Sequence, residues 1–113
     1  MGGIGELLKG STDLLLLALI RERPMYGYEL IKEMERRSRG YFRFKEGTLY
    51  PALHRLEKDG LIGGYWQRLP NGQERRYYTI TPKGDASLRE RASRWQGFAA
   101  AVNWVLQPVP SQA

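Results

Sequence analysis

Seven consecutive apolar residues, Leu14 to Ile20, constrain this chain more than any other feature. Within a helix from Glu6 to about Glu22 they are apolar on every side, so that helix must be buried against more than one neighbour. One side, with Leu15, can face a partner, and a second subunit is the economical choice. The run is shorter than the ~20 residues that span a bilayer. Arg21-Glu-Arg23 follows it directly, without the cleavage pattern of a signal peptide, so no membrane partner and a cytoplasmic location are expected. Gly10-Ser-Thr-Asp13 either starts this helix or weakens it, and Pro24 ends it.

The segment Glu46 to Ile62 reads as a short helix with two unlike faces. At 100° per residue Leu49, Ala52, Leu53 and Leu56 share one side. Gly47, Pro51, His54 and Lys58 lie opposite, with Thr48 and Arg55 on one flank and Tyr50 on the other. Pro51 is tolerable if it falls among the unpaired N–H groups of a helix starting near Glu46. Gly60 supplies the left-handed stop. A helix small and hydroxylic at its start and basic further along suits a DNA major groove.

Gly27 to Ser38 forms another helix, broken at Gly40, and Arg36 to Lys45 holds five basic residues and no acidic one. Ile62–Arg68 and Arg75–Ile80 read as strands joined through Asn71-Gly72, a strong hairpin signal. Thr81-Pro82 is an N-cap followed by proline at the first helical position. The last helix runs from Pro82 to about Leu106, where Gln107-Pro108 stops it. Leu88, Ala92, Trp95, Phe98, Val102 and Val105 recur along it at three- or four-residue spacing, a seam suited to another helix.

The predicted fold is mainly α with a small β-hairpin. It comprises a winged helix-turn-helix over residues 1–81, a long C-terminal dimerisation helix over 82–107 and a loose tail over 108–113. A net charge of +6 points to a polyanionic partner, here double-stranded DNA. With one histidine, no cysteine, no clustered carboxylates and no phosphate-loop glycine pattern, neither an enzyme nor a metal or cofactor is expected.

Met25-Tyr-Gly-Tyr-Glu-Leu-Ile31, Gly47-Thr-Leu-Tyr-Pro51, Leu53 with Leu56-Glu-Lys-Asp-Gly-Leu-Ile62, and Arg76-Tyr-Tyr-Thr-Ile-Thr81 occur in order. On these motifs, from about Leu14 to Gly84, the chain resembles the PadR family of bacterial transcriptional regulators. The single C-terminal helix resembles that of the smaller subfamily, which includes multidrug-responsive repressors. There a tryptophan midway along the last helix lines a pocket at the dimer centre, and Trp95 stands in its place. Tyr65-Trp66 also matches, whereas Trp104 maps onto no family feature. The resemblance implies a homodimeric repressor that binds an inverted repeat and is released by a ligand.

Candidate DNA contacts are Thr48, Tyr50, His54, Arg55 and Lys58 on the third helix, and Arg68, Arg75 and Arg76 around the hairpin tip. Tyr50 could instead pack its ring on the second helix, and the arginines could simply protect a solvated strand edge. Tyr26 is the preferred contact at the start of the second helix, by the resemblance. Trp95, with Phe98, Ala99 and Leu14 as neighbours, is the candidate ligand site. Two such rings could hold a planar aromatic ligand, cationic if it exploits the ring quadrupole, or could simply fill the interface. The expected dimer contacts are Leu15, Leu88, Ala92, Trp95, Val102 and Val105. A ligand sensor or a protein-interaction winged helix, without specific DNA binding, is the alternative.

Overall fold

The computed structural model describes residues 4–109, with side chains from Ser11 onward. The elements are α1 (Ile4–Glu22), β1 (Met25–Tyr26), α2 (Gly27–Arg37), α3 (Glu46–Lys58), β2 (Ile62–Arg68), β3 (Glu74–Ile80) and α4 (Pro82–Leu106). Of the tail expected at 108–113, residues 110–113 lie outside the described residues.

The apolar run of α1 is the centre of the core. Leu16, Leu17 and Ile20 are fully buried, together with Leu30 of α2 and Leu49, Leu53 and Leu56 of α3. α1 meets α2, α3, β3 and α4, which answers the demand of a helix without a polar side. Leu88, expected on the dimer seam, is only 5% exposed within this core. The reason is positional: it lies early in α4, where that helix still covers its own domain.

The expected hairpin is one part of a three-stranded antiparallel sheet with order β1-β3-β2. Met25 pairs with Tyr78 and Tyr26 with Tyr77. Two residues carry no period for a sequence reading to detect. They pair because β3 offers an open edge while Met25 is buried beneath the sheet. In the hairpin Ile62 pairs with Ile80, Tyr65 with Tyr77 and Trp66 with Arg76. Its turn closes through Gly72 N–H to the Leu69 carbonyl at 2.9 Å, and Asn71 Oδ1 accepts from the Gln73 N–H at 3.0 Å. Gly72 sits at φ +88°, which explains the Asn-Gly signal.

α3 ends as expected. Gly60 has φ +75°, and the Leu61 N–H reaches back to the Leu56 carbonyl at 2.9 Å. Pro51, however, lies beyond the free N–H groups, because the first α-helical bond is already made by Leu49 to the Lys45 carbonyl. The missing N–H of Pro51 is therefore the natural partner of the Gly47 carbonyl. Exposure of Gly47 lets water serve that carbonyl.

Thr81 caps α4 by accepting the Gly84 N–H at 3.0 Å and ties it to the preceding turn by donating to the Gly60 carbonyl at 2.7 Å. α4 then runs antiparallel to α1, with Arg21 bound to Asp85 at 2.9 Å and Arg91 3.6 Å from Asp13. Beyond there it projects outward. The radius of gyration is 17.2 Å, against about 13 Å for a compact domain of this length. Trp104, Val105 and Leu106 at its end are 72–85% exposed.

Two outcomes test this packing. A Cβ at Gly84 would overlap the backbone carbonyl of Leu61. Gly84→Ala should therefore lose about 3 kcal/mol, the upper end for overpacking, seen as a lower urea midpoint at unchanged slope. Glu33 accepts from both Arg36 and Arg37, and hydrogen bonding to Arg36 foremost lowers its carboxyl to about 2. Its contribution is complete above the ordinary carboxylate range and lost as pH falls through about 2. Acid titration followed by circular dichroism should thus show a shallower loss in this range for Glu33→Gln than for the parent protein.

Candidate nucleic-acid interface and ligand pocket

Burial of Leu49, Ala52, Leu53 and Leu56 fixes the rotation of α3 about its axis. Gly47, Thr48, Pro51, His54 and Lys58 are thereby turned to solvent. Thr48, His54 and Lys58 make no ion pair or side-chain hydrogen bond among the described residues. A Cβ at Gly47 would meet nothing within 4 Å, so this end of the helix is flat as well as open.

The other expected contacts divide. Tyr50 is 38% exposed, but its ring lies over Gly27 so closely that a Cβ there would overlap the phenol. It braces α3 against the start of α2 while keeping an accessible edge. Arg55 turns away from the open row to Asp13 on α1, at 2.6 Å. Arg76 turns inward to Glu57 on α3, also at 2.6 Å, with its guanidinium near the Trp66 and Tyr78 rings. Arg76 therefore fastens the hairpin to α3. Burial pushes the neighbouring Tyr78 phenol up.

On the opposite face of the sheet Tyr65 stacks on Tyr77 at 5.7 Å, and Tyr77 meets Tyr26 edge-on at 5.5 Å. Arg75 lies over the Tyr26 ring at 4.3 Å. Arg68 at the tip is well exposed, with Glu74 3.8 Å away. Of the basic run leading to α3, Arg36 and Arg37 are paired with Glu33 and Arg43 approaches Glu35 at 3.8 Å. Arg39 and Lys45 are exposed cations without an ion pair among the described residues.

A separate cavity of about 350 Å³ opens where α1 and α4 diverge, lined by Ser11, Leu14, Arg91, Arg94, Trp95 and Phe98. Three of the four expected ligand residues meet here, with the Trp95 and Phe98 rings 5.8 Å apart. Ala99 is not part of the lining. Sequence reasoning missed Arg91 and Arg94. Their spacing from Trp95 and Phe98 places all four on one helical face, a signal hidden when arginines are taken as solvated. Two guanidinium groups on the wall weigh against the cationic option that the rings alone left open.

On the other side of α1, Leu15, Ala18, Leu19, Met34 and Phe42 line an almost wholly apolar groove. Ala92 is half-buried, and Trp95, Val102 and Val105 are exposed along α4. No group of His, Asp and Glu among the described residues could hold a metal ion. No helix among them is long and apolar enough to cross a membrane.

An outward-facing helix braced by a three-stranded wing, with a long trailing arm, defines a winged helix-turn-helix protein. The PadR-like family of transcriptional regulators matches residues 16–90. A transcriptional regulator of Mycobacterium tuberculosis is 39% identical over 97 residues, covering 86% of this chain and 87% of its own. The crystal structure of a PadR-like transcriptional regulator from Bacillus cereus superposes with a TM-score of 0.80 at 34% identity, covering 92% of this chain and 99% of that one. A transcriptional regulator from Clostridium thermocellum gives 0.81 at 31% identity, covering 90% and 99%. The chain belongs to the PadR-like family of transcriptional regulators.

The tie between hairpin and α3 is testable. Arg76→Gln should lower stability by about 1–2 kcal/mol through loss of a charge-assisted bond. Glu57→Gln should lower it similarly, and the double variant by less than the sum in a urea-denaturation cycle.

Proposed function

We propose that this protein is a homodimeric, sequence-specific DNA-binding repressor of a promoter carrying an inverted repeat, released by a small aromatic ligand at the α1–α4 pocket. The observation that carries the reading is the open row of α3. Gly47, Thr48, Pro51, His54 and Lys58 are exposed, and the row is flat enough for bases to approach. Thr48 and His54 are the candidates for base edges, while Lys58, Arg68, Arg75 and Tyr26 suit phosphates. The exposed apolar end of α4 supports the dimer, because Trp104, Val105 and Leu106 have nothing to cover them within the described residues. Two α3 helices about 34 Å apart would then read half-sites one helical turn apart.

Gly47→Ala separates docking from folding. The added methyl meets no protein atom and favours the helix by up to about 1 kcal/mol. It should nevertheless weaken binding to the preferred duplex by roughly tenfold, about 1.4 kcal/mol, in fluorescence anisotropy. Unchanged affinity would remove α3 from the interface. Lys58→Ala should lower the salt dependence by about one counterion. Sedimentation should give twice the 13.0 kDa chain mass, with Val105→Glu shifting the protein towards monomer.

A further inference from the structure

Three tyrosines stand directly opposite one another across the sheet: Tyr65 of β2 pairs with Tyr77 of β3, and Tyr77 with Tyr26 of β1. Strand alternation puts them on the face opposite to that from which Arg76 reaches Glu57 of α3. Tyr28, in the first turn of α2, extends the row, its ring 6.5 Å from that of Tyr26. Gly27 lies between these two, and the Tyr50 phenol of α3 rests against it. The strip therefore begins beside α3 and leads away from it across the wing. Two cations accompany it. Arg75 lies over the Tyr26 ring at 4.3 Å and Lys32 lies 5.2 Å from the centre of the Tyr28 ring. Neither has an ion pair among the described residues. Glu29, the carboxylate in the same turn of α2, is already engaged by Arg23 at 2.9 Å and by the Tyr26 N–H at 3.4 Å.

Cross-strand ring contacts stabilise so small a sheet, but phenylalanine would make them equally well. The hydroxyls are the surplus. Tyr28 and Tyr65 are 58% and 43% exposed, and neither phenol makes a hydrogen bond among the described residues. The ring faces are largely taken, since Tyr65 and Tyr77 stack on one another and Arg75 covers Tyr26. That disfavours the stacking of unpaired bases, which needs free faces. What is left outward is edges, hydroxyls and cations, the groups that contact phosphates. Resting on the DNA-binding regulator proposed above, we infer that this strip is a second DNA surface, holding the sugar-phosphate backbone of the duplex outside the half-site read by α3. Lys32 and Arg75 pair with phosphates there, and Tyr28 and Tyr65 donate hydrogen bonds to them. The strip turns from α3 onto the reverse face of the sheet. The flanking duplex therefore curves towards the wing to reach it, at an elastic penalty that the contacts offset.

The test compares two duplexes in fluorescence anisotropy with the full chain. One is the preferred duplex cut at the outer edges of its half-sites; the other adds about one helical turn (~10 bp) of scrambled sequence at each end. The longer duplex should bind roughly tenfold more tightly, with a salt dependence steeper by about two counterions per protomer. Tyr65→Phe keeps the stack and removes only the hydroxyl, and Lys32→Gln removes a charge exposed on α2. Each should reduce the gain from the flanks, and the double variant should cut it by roughly threefold or more. Affinity for the short duplex and the urea midpoint should stay as in the parent protein. Energy transfer between dyes at the ends of the long duplex should rise on binding, and rise less with the double variant. Equal affinity for the two duplexes is the result expected if the strip instead meets an acidic protein segment. That result, or a gain that survives undiminished in the double variant, would overturn the inference while the reading of α3 stands. No preference for any duplex would remove the DNA-binding reading and this inference with it.

Discussion

Leu16, Leu17, Leu19 and Ile20 are withdrawn from solvent over roughly 160° of the circumference of α1, wider than a single stripe, and the neighbouring elements take their positions from that burial. A helix with one apolar stripe needs one neighbour; α1 has α2, α3, β3 and α4 around it. α3 and α4 are thus packed on a single rod. Neither can tilt without disturbing side chains that interlock at near-crystalline density. That arrangement brings a change near the first turns of α4 within a few side chains of α3.

The charges refine this frame rather than create it. Pairs along one helix, such as Arg36 with Glu33, are exposed and contribute little individually. Those linking elements distant in sequence have a different effect. Arg55 with Asp13, Arg76 with Glu57, Arg37 with Glu22 and Arg21 with Asp85 fix how α3, the hairpin, α2 and α4 sit against their neighbours. With these cations committed inside the protein, the open row of α3 is left to Thr48, His54 and Lys58. The surface charge available to a polyanion is therefore more local than a net charge of +6 suggests.

Much of the fold is legible in the sequence because it is set by periodicity and by local stops. All four residues assigned to the packing face of α3 are buried, Gly60 ends the helix in the left-handed region, and Thr81 caps α4. β1 was not legible, since a two-residue strand has no alternation and depends on the free edge of β3. Leu88 fits the apolar spacing of the α4 seam, yet spacing alone cannot distinguish the core of the chain from a surface for another. The directions of Arg55 and Arg76 were hidden for a related reason. A helical wheel or strand alternation fixes where Cβ points, but a long guanidinium goes to whichever carboxylate the tertiary fold brings near. Asp13 lies 42 residues from Arg55, beyond any local pattern. The rings of the pocket were visible as a stripe, whereas its charge emerged only when α1 closed one side.

Asp13 shows why contacts between distant elements matter more than the pairs along one helix. Its carboxylate serves Arg55 of α3 at 2.6 Å and faces Arg91 of α4 at 3.6 Å, so one side chain of α1 orients both neighbouring helices. Only 16% of that side chain is exposed, which leaves little water to replace a lost cation. An exposed carboxylate in its place would let either arginine leave at little penalty. The shorter distance makes Arg55 the firmer partner, and α3 is therefore held against α1 more tightly through Asp13 than α4 is.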